Sequence, residues 1–165
     1  MCIRDRYNVI IKIVNDDYTN NSSIENMINY IYRTKNCKSK QTEALPIHAY
    51  GLSTVPPTYE SMINDFQAAY MSSNPEKPSR HIWHVIFSYN RSKISKKFRN
   101  CIDGIAGSIG LVYPTCYAYH FDSNHVHCHM VISATPFLPA PEPLTGINLA
   151  YYITCLLYTS PSPRD

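Results

Sequence analysis

The sequence predicts an α+β domain in which helices pack against a central, largely antiparallel sheet. Short apolar segments rich in β-branched residues have the length and composition of strands. Longer segments between them repeat apolar residues at helical spacing. Two predicted strands late in the chain are separated only by a turn, and such a hairpin joins antiparallel neighbours.

The first half of the chain contains one predicted strand and two predicted helices. Residues 7–14, with the sequence YNVIIKIV, are short and apolar and form the strand. A helix is predicted over residues 23–33, because apolar residues recur at helical spacing behind Ser22 and Glu25, which have the spacing of a capping box. A second helix over residues 58–72 is followed by two prolines, which cannot continue it.

The second half supplies most of the predicted sheet. Residues 80–89, RHIWHVIFSY, form a strand, and residues 92–110 form a helix that is basic at its start. Residues 115–121 and 125–134 are the two strands of the hairpin. A proline-rich linker follows, and a last helix is expected over residues 144–153.

Both ends of the chain look foreign to this domain. The opening MCIRDR and the closing CLLYTSPSPRD resemble translations of a transposase mosaic-end sequencing adaptor, in opposite orientations. Segments of this origin carry no information about the native fold or function. We therefore expect one native domain over residues 7–154, a fragment of a longer gene, with adaptor-derived ends at residues 1–6 and 155–165.

Charge and cysteine content indicate no particular class of partner. The formal net charge is +3, and leaving out the two ends lowers it by one unit, which is too little to indicate a nucleic-acid partner by itself. The cysteines that remain form no C-x-x-C pair, so a reducing cytosol is expected: Cys37, Cys101, Cys116 and Cys128. No apolar run approaches the roughly 18 residues that span a bilayer.

The segment HFDSNHVHCHMVI, residues 120–132, holds four of the seven histidines. Side chains alternate along a strand, so His127 and His129 share one face with His125, while the residues between them resemble core. If a two-residue loop closes the hairpin, His120 lies opposite His127. Neutral imidazoles are ready metal ligands, so the pattern predicts a metal site. The alternative is a solvent-facing strand that is simply rich in histidine.

This segment resembles the histidine motif of plasmid relaxases, the MobA/VirD2-like mobilisation nucleases of the HUH endonuclease superfamily. Other stretches resemble family motifs in the same order. NYIYRTKN is similar to the N-terminal tyrosine motif, HIWHVIFSYNR to the strand that ends in a serine–aromatic step, and IAGSIGLVYPTCYAYHFD to the lead-in to the histidines. The resemblance covers nearly all of residues 7–154.

The resemblance implies a metal-dependent relaxase that nicks single-stranded DNA at an origin of transfer during conjugative mobilisation. In that family a tyrosine hydroxyl attacks one phosphodiester, which leaves a 5′-phosphotyrosyl link and a free 3′-OH. A tyrosine with a pKa of about 10 is a poor nucleophile at neutral pH and needs activation. The implied cofactor is Mg²⁺ or Mn²⁺, with Zn²⁺ also compatible with imidazole ligands. The implied partners are single-stranded DNA and accessory mobilisation proteins.

The resemblance also implies a role for each residue that matches a position of the family's histidine motif. The resemblance assigns the metal to His120, His127 and His129 and leaves His125 as an extra histidine that supports a ligand or contacts phosphate. Asp122 would orient a ligand or act as a base, and the alternative is a plain turn residue. The remaining histidines lack ligand spacing and are expected to be structural: His48, His81 and His84.

Tyr30 matches the family's register for the nucleophile best, because an aliphatic residue and a basic stretch follow it. Tyr32 is the alternative, since it borders the apolar stripe of the same helix and periodicity does not choose between the two. The basic stretch is expected to follow the DNA backbone, although ordinary solvated surface would look the same: Arg33, Lys35, Lys38 and Lys40.

Two other functions are compatible with the sequence. A replication initiator or transposase of the same superfamily would share the fold, but its tyrosine usually follows a shorter histidine motif. Here Tyr30 precedes the histidines, while Tyr151 and Tyr152 follow them. A histidine-rich metal- or DNA-binding module without catalysis is the alternative from a different functional class.

Overall fold

The computed structural model describes residues 2–4, 9–34, 42–72, 79–90, 93–121, 124–137 and 142–159. Its strands are β1 Cys2–Arg4, β2 Val9–Val14, β3 Thr42–Tyr50, β4 Ile82–Tyr89, β5 Thr115–His120 and β6 Val126–Ser133. Its helices are α1 Ser23–Tyr32, α2 Tyr59–Ser72, α3 Lys96–Gly110 and α4 Gly146–Thr159. None of these helices combines the length and apolar character needed to cross a membrane.

The described strands form one sheet in the order β1-β2-β4-β6-β5-β3. Every neighbouring pair is antiparallel. The central strands β4 and β6 run side by side over their whole length, from Ile82 opposite Ser133 to Tyr89 opposite Val126. The predicted α+β fold with a largely antiparallel sheet is therefore confirmed.

Helices cover both faces of the sheet. Val126, Cys128 and Met130 of β6 point to one face, where they share a buried core with α3 and α4. Val131, one residue out of phase with them, points to the other face and joins the core beneath α1 and α2. This alternation is the two-residue period of a strand, and it confirms the predicted core side of β6.

The strand β3 is absent from the sequence-based prediction. Pro46 interrupts its strand pattern, and the pairing of β3 with β5 shifts register between Glu43 and His48. A proline is tolerated here because β3 is an edge strand of the sheet, where one row of backbone groups needs no partner strand.

The capping box predicted for α1 does not form. Ser22 is the N-cap, but its side chain makes no capping hydrogen bond. Its hydroxyl instead donates to Oδ1 of Asn20 at 2.8 Å. The prediction that residues 1–6 and 155–165 are not native stays a prediction, although β1 pairs with β2 and Leu157 of α4 is buried.

Candidate functional site

One face of the sheet carries four histidines from three neighbouring strands. His120 of β5 is paired directly with His127 of β6, as the hairpin spacing predicts. His129 lies two residues further along β6 and is paired with Ile86 of β4. Since residues two apart on a strand share a face, His84 is also on this face, diagonal to His129. We call His84, His120, His127 and His129 the histidine cluster.

The histidine cluster is compact and mostly buried. Nε2 of His84 lies 2.9 Å from Nδ1 of His129. The ring centroid of His129 is 4.2 Å from that of His120 and 6.5 Å from that of His127. Three of the rings are almost inaccessible to solvent, while His127 at the start of β6 is half-buried. Three of the four rings are therefore shielded from water by the surrounding protein.

Burial controls the protonation of the two innermost rings. Burial, followed by the neighbouring His120 and His84, lowers the pKa of His129 to about 2. Burial also lowers the pKa of His84 to about 4, although the carboxylate of Asp16 acts in the opposite direction. Both rings are consequently neutral at physiological pH, and the neutral imidazole is the form that binds metal.

Two further contacts orient the outer histidines of the cluster. Nε2 of His120 lies 2.7 Å from the backbone carbonyl oxygen of Ile31 in the last turn of α1. A carbonyl oxygen only accepts, so His120 donates from Nε2, and this satisfies a carbonyl that the end of the helix would leave without a partner. Nδ1 of His127 lies 2.9 Å from the hydroxyl of Ser88, its partner on β4.

Helix α1 brings Tyr30 to the histidine cluster. Arg33 ends the helix in a left-handed conformation with φ of 53°, and its N–H donates to the carbonyl of Asn29. One turn earlier, the ring of Tyr30 stands edge-on to three rings of the cluster, with centroids 5.6 Å from His129, 5.9 Å from His120 and 6.3 Å from His84. Tyr30 is still 53% exposed.

Tyr32 points away from this site. Its side chain is buried, and its hydroxyl lies 3.0 Å from the carbonyl oxygen of His48 and 3.1 Å from that of Tyr117. Burial raises the pKa of Tyr32 well above its usual value. The two candidate nucleophiles therefore lie in different environments. Tyr30 borders both the histidine cluster and solvent, whereas Tyr32 is part of the core.

The other predicted site residues lie outside the histidine cluster or outside the described part of the chain. His125 is exposed and lies in the bend before β6, outside the strand pairing that collects the cluster. Arg33 is half-buried at the end of α1, near enough to His129 to contribute to the lowering of its pKa. The remaining predicted residues lie outside the described part of the chain: Asp122, Lys35, Lys38 and Lys40.

His84 is the member of the cluster that the sequence pattern did not single out. The two-residue period of a strand places His84, Ile86 and Ser88 of β4 on one face. This alternation is the sequence feature that could have indicated His84 as a site residue. Which face they share with β6 depends on the register between the two strands, which is not a local property. His81 and His48 lie elsewhere, His81 against Tyr70 and His48 stacked on Tyr117, and both fit the structural role expected of them.

The donor chemistry of the cluster fits a divalent metal ion. Neutral imidazoles suit Mn²⁺, Zn²⁺ and related ions. Among the residues that the structure describes, no group of three or more His, Cys, Asp or Glu side chains is already arranged to hold an ion. The His127 ring is turned toward Ser88, and its centroid is farther from that of His129 than the centroids of His120 and His84 are. The candidate ligands are close neighbours, but they do not yet converge on one point.

Comparison with known proteins gives one match. The model of the relaxase family described as the MobA/VirD2-like nuclease domain matches residues 15–138. A search of curated proteins and a search of solved structures each returned no match. The matched range contains Tyr30 and the whole histidine cluster. Because the match spans most of the chain, the protein belongs to the MobA/VirD2-like relaxase family and carries the DNA-nicking nuclease domain of that family.

Proposed function

We propose that this protein nicks single-stranded DNA at an origin of transfer by attack of Tyr30, in the conjugative mobilisation of a plasmid or integrative element. The observation that carries the proposal is the position of Tyr30, edge-on to three buried imidazoles and yet half exposed. A nucleophile for DNA needs both properties, since the phosphate must reach the hydroxyl from solvent and the activating groups must lie beside it.

Tyr32 is the weaker candidate for the nucleophile. Its hydroxyl hydrogen-bonds to backbone carbonyls of β3 and β5 inside the core, where a DNA strand would have to displace packed side chains. Burial also favours its protonated form, which is the unreactive one. Both facts support a packing role for Tyr32.

His120, His127 and His129 are proposed to hold the divalent ion, which is Mg²⁺ or Mn²⁺, with Zn²⁺ also compatible. When bound, the ion would polarise the scissile phosphate and offset the negative charge that develops on it. Burial keeps the His129 ring neutral, and the His120 ring is oriented by its hydrogen bond to the carbonyl of Ile31. Neutral ligands leave the charge of the ion available to the phosphate.

The proposed reaction is a phosphoryl transfer from DNA to tyrosine. The Tyr30 oxygen forms a bond to phosphorus and loses its proton, and the bond from phosphorus to the 3′ oxygen breaks. The 3′ oxygen takes up a proton, so the products are a 5′-phosphotyrosyl link and a free 3′-OH. Asp122 is proposed as the base or as the group that orients a ligand. Arg33, Lys35, Lys38 and Lys40 are proposed to follow the DNA backbone.

The test is metal-dependent formation of a covalent adduct. The protein is incubated with single strands that cover the transfer region of the element encoding it, in Mn²⁺ or in EDTA, and the products are separated on a denaturing gel. A DNA-bound band that needs Mn²⁺, with the modified peptide containing Tyr30 by mass spectrometry, is expected. Adduct at Tyr151 or Tyr152 would favour a replication initiator or transposase, and metal binding without any adduct would favour a non-catalytic module.

A further inference from the structure

Four side chains link the histidine cluster to the loop after β2 through hydrogen bonds. Nδ1 of His129 meets Nε2 of His84 at 2.9 Å. Nδ1 of the same His84 ring lies 3.2 Å from the hydroxyl of Tyr18. The Tyr18 hydroxyl in turn donates to Oδ2 of Asp16 at 3.4 Å. We call these four residues the aspartate–histidine chain.

The direction of each hydrogen bond follows from the acceptor at the far end. A carboxylate only accepts, so Tyr18 donates to Asp16, and the Tyr18 oxygen is left to accept from Nδ1–H of His84. A neutral His84 protonated on Nδ1 has its lone pair on Nε2, which can only accept from His129. His129 then carries its proton on Nδ1, and the lone pair of its ring is on Nε2.

We propose that His84 is a positioning residue that holds His129 in the Nδ1-protonated form, so that Nε2 of His129 is the atom that binds the divalent ion. This inference rests on the proposed function, because it concerns the same metal. A histidine ligand generally donates its other ring N–H to a fixed acceptor, which selects its tautomer and orientation. In this protein the acceptor would be a second histidine on the adjacent strand.

The aspartate–histidine chain is held firmly enough to act in this way. His84 and Tyr18 are both buried, with 4% and 8% of their surfaces exposed, so water competes little for their hydrogen bonds. The carbonyl of Tyr18 accepts from the N–H of His81 at 2.8 Å, which ties this loop to the chain entering β4. The Arg80 guanidinium also lies over the Tyr18 ring, 5.5 Å from its centroid. Only Asp16, at the outer end, is exposed.

The test compares metal affinity in variants that keep or remove the acceptor. His84→Leu removes it, whereas His84→Gln keeps an amide oxygen that can accept from His129. Mn²⁺ binding to the metal-free protein is measured by calorimetry, with circular dichroism to confirm folding. His84→Leu is expected to weaken binding roughly tenfold to a hundredfold, the usual effect of losing such a partner. His84→Gln should recover most of that loss, and Tyr18→Phe should show a smaller one.

His81→Leu is the matched control, since His81 is a buried histidine beside the same strand but outside the cluster. It should bind Mn²⁺ like the unaltered protein. A second readout is independent of the variants: nitrogen-15 NMR of the metal-free protein should show His129 protonated on Nδ1. This NMR measurement tests the inference even if His84→Leu does not fold.

Three results would overturn the inference about His84. They are unchanged Mn²⁺ affinity in folded His84→Leu, protonation of His129 on Nε2, and equal losses in His84→Leu and His84→Gln. The last result would mean that the ring itself binds the ion. Failure of the proposed function looks different, because the unaltered protein would then form no metal-dependent adduct at Tyr30 with single-stranded DNA, whatever its Mn²⁺ affinity.

Discussion

The ring of Tyr30 stands almost perpendicular to that of His129, with 5.6 Å between centroids and 80° between planes. Helix α1 and strand β6, which carry these residues, are far apart in sequence and meet only through the tertiary fold. The contact at the end of α1 between the Ile31 carbonyl and His120 fixes the helix at this point. The hydrogen bond between His120 and the Ile31 carbonyl thus holds the helix of the proposed nucleophile against the strands of the proposed metal ligands.

Tyr30→Phe is expected to abolish covalent attachment to DNA. The change removes the hydroxyl and keeps the ring, so the packing against the cluster and the fold should be unaffected. The measurement is the amount of protein–DNA adduct on a denaturing gel, together with Mn²⁺ affinity, which should not change. Persistence of the adduct in folded Tyr30→Phe would rule out the proposed nucleophile.

Tyr32→Phe is the partner experiment, with the opposite pattern expected. Loss of the hydroxyl that bonds to β3 and β5 should lower the free energy of unfolding by about 1 kcal/mol, the typical net value of one hydrogen bond. Adduct formation should survive at temperatures where the variant is folded. Urea unfolding and the adduct assay measure the two effects, and loss of adduct without loss of stability would contradict the assignment.

Divalent metal should stabilise the folded protein, and the stabilisation should depend on His120, His127 and His129. An ion that binds only the folded state at 100 times its Kd adds about 2.7 kcal/mol to the free energy of unfolding. Thermal unfolding with Mn²⁺ and with EDTA measures this difference. Alanine at each of the three positions should reduce it, while His125→Ala, at an exposed position before β6, should leave it nearly intact. An equal effect at His125 would show that the ligand set is wrong.

The parts of this site that were predictable from sequence are the local ones. The pairing of His120 with His127 follows from the length of one hairpin, and the core side of β6 follows from a two-residue period. His84 joins the cluster through the register between β4 and β6, whose sequences are separated by α3 and β5, and no local pattern reports that register. Likewise, helical periodicity left Tyr30 and Tyr32 equivalent, and only the packing of α1 on the sheet separates them.

High pH should destabilise the protein, because it ionises two tyrosines whose hydroxyls donate hydrogen bonds to one carboxylate. The hydroxyls of Tyr50 and Tyr117 donate to the same oxygen of Asp103, at 2.5 and 2.7 Å. Burial and then the hydrogen bond to Asp103 raise the pKa of Tyr50 to about 12, and the same causes raise the pKa of Tyr117 further.

Because the pKa of each hydroxyl is higher in the folded than in the unfolded state, the folded state binds more protons above a pH of about 10. The stabilisation is therefore complete below that pH and is lost as the pH rises toward the folded-state values. Urea unfolding between neutral and strongly alkaline pH should show this decline. Tyr50→Phe should make the decline shallower, and an unchanged slope would exclude a contribution from Tyr50.

Two glycines of α3 should respond to alanine in opposite directions, because their surroundings differ. At Gly104, an exposed position of the helix, an added Cβ meets nothing within 4 Å. Gly104→Ala should therefore raise the free energy of unfolding by about 0.5–1 kcal/mol, because alanine lowers the entropy of the unfolded chain. At Gly110 the added Cβ would overlap the Cβ of Tyr50 where α3 crosses β3. Relieving that overlap requires the helix and the edge strand to separate, so Gly110→Ala should cost about 1–3 kcal/mol. Urea unfolding of the two variants tests this, and equal stability would mean that α3 and β3 do not pack as closely as described.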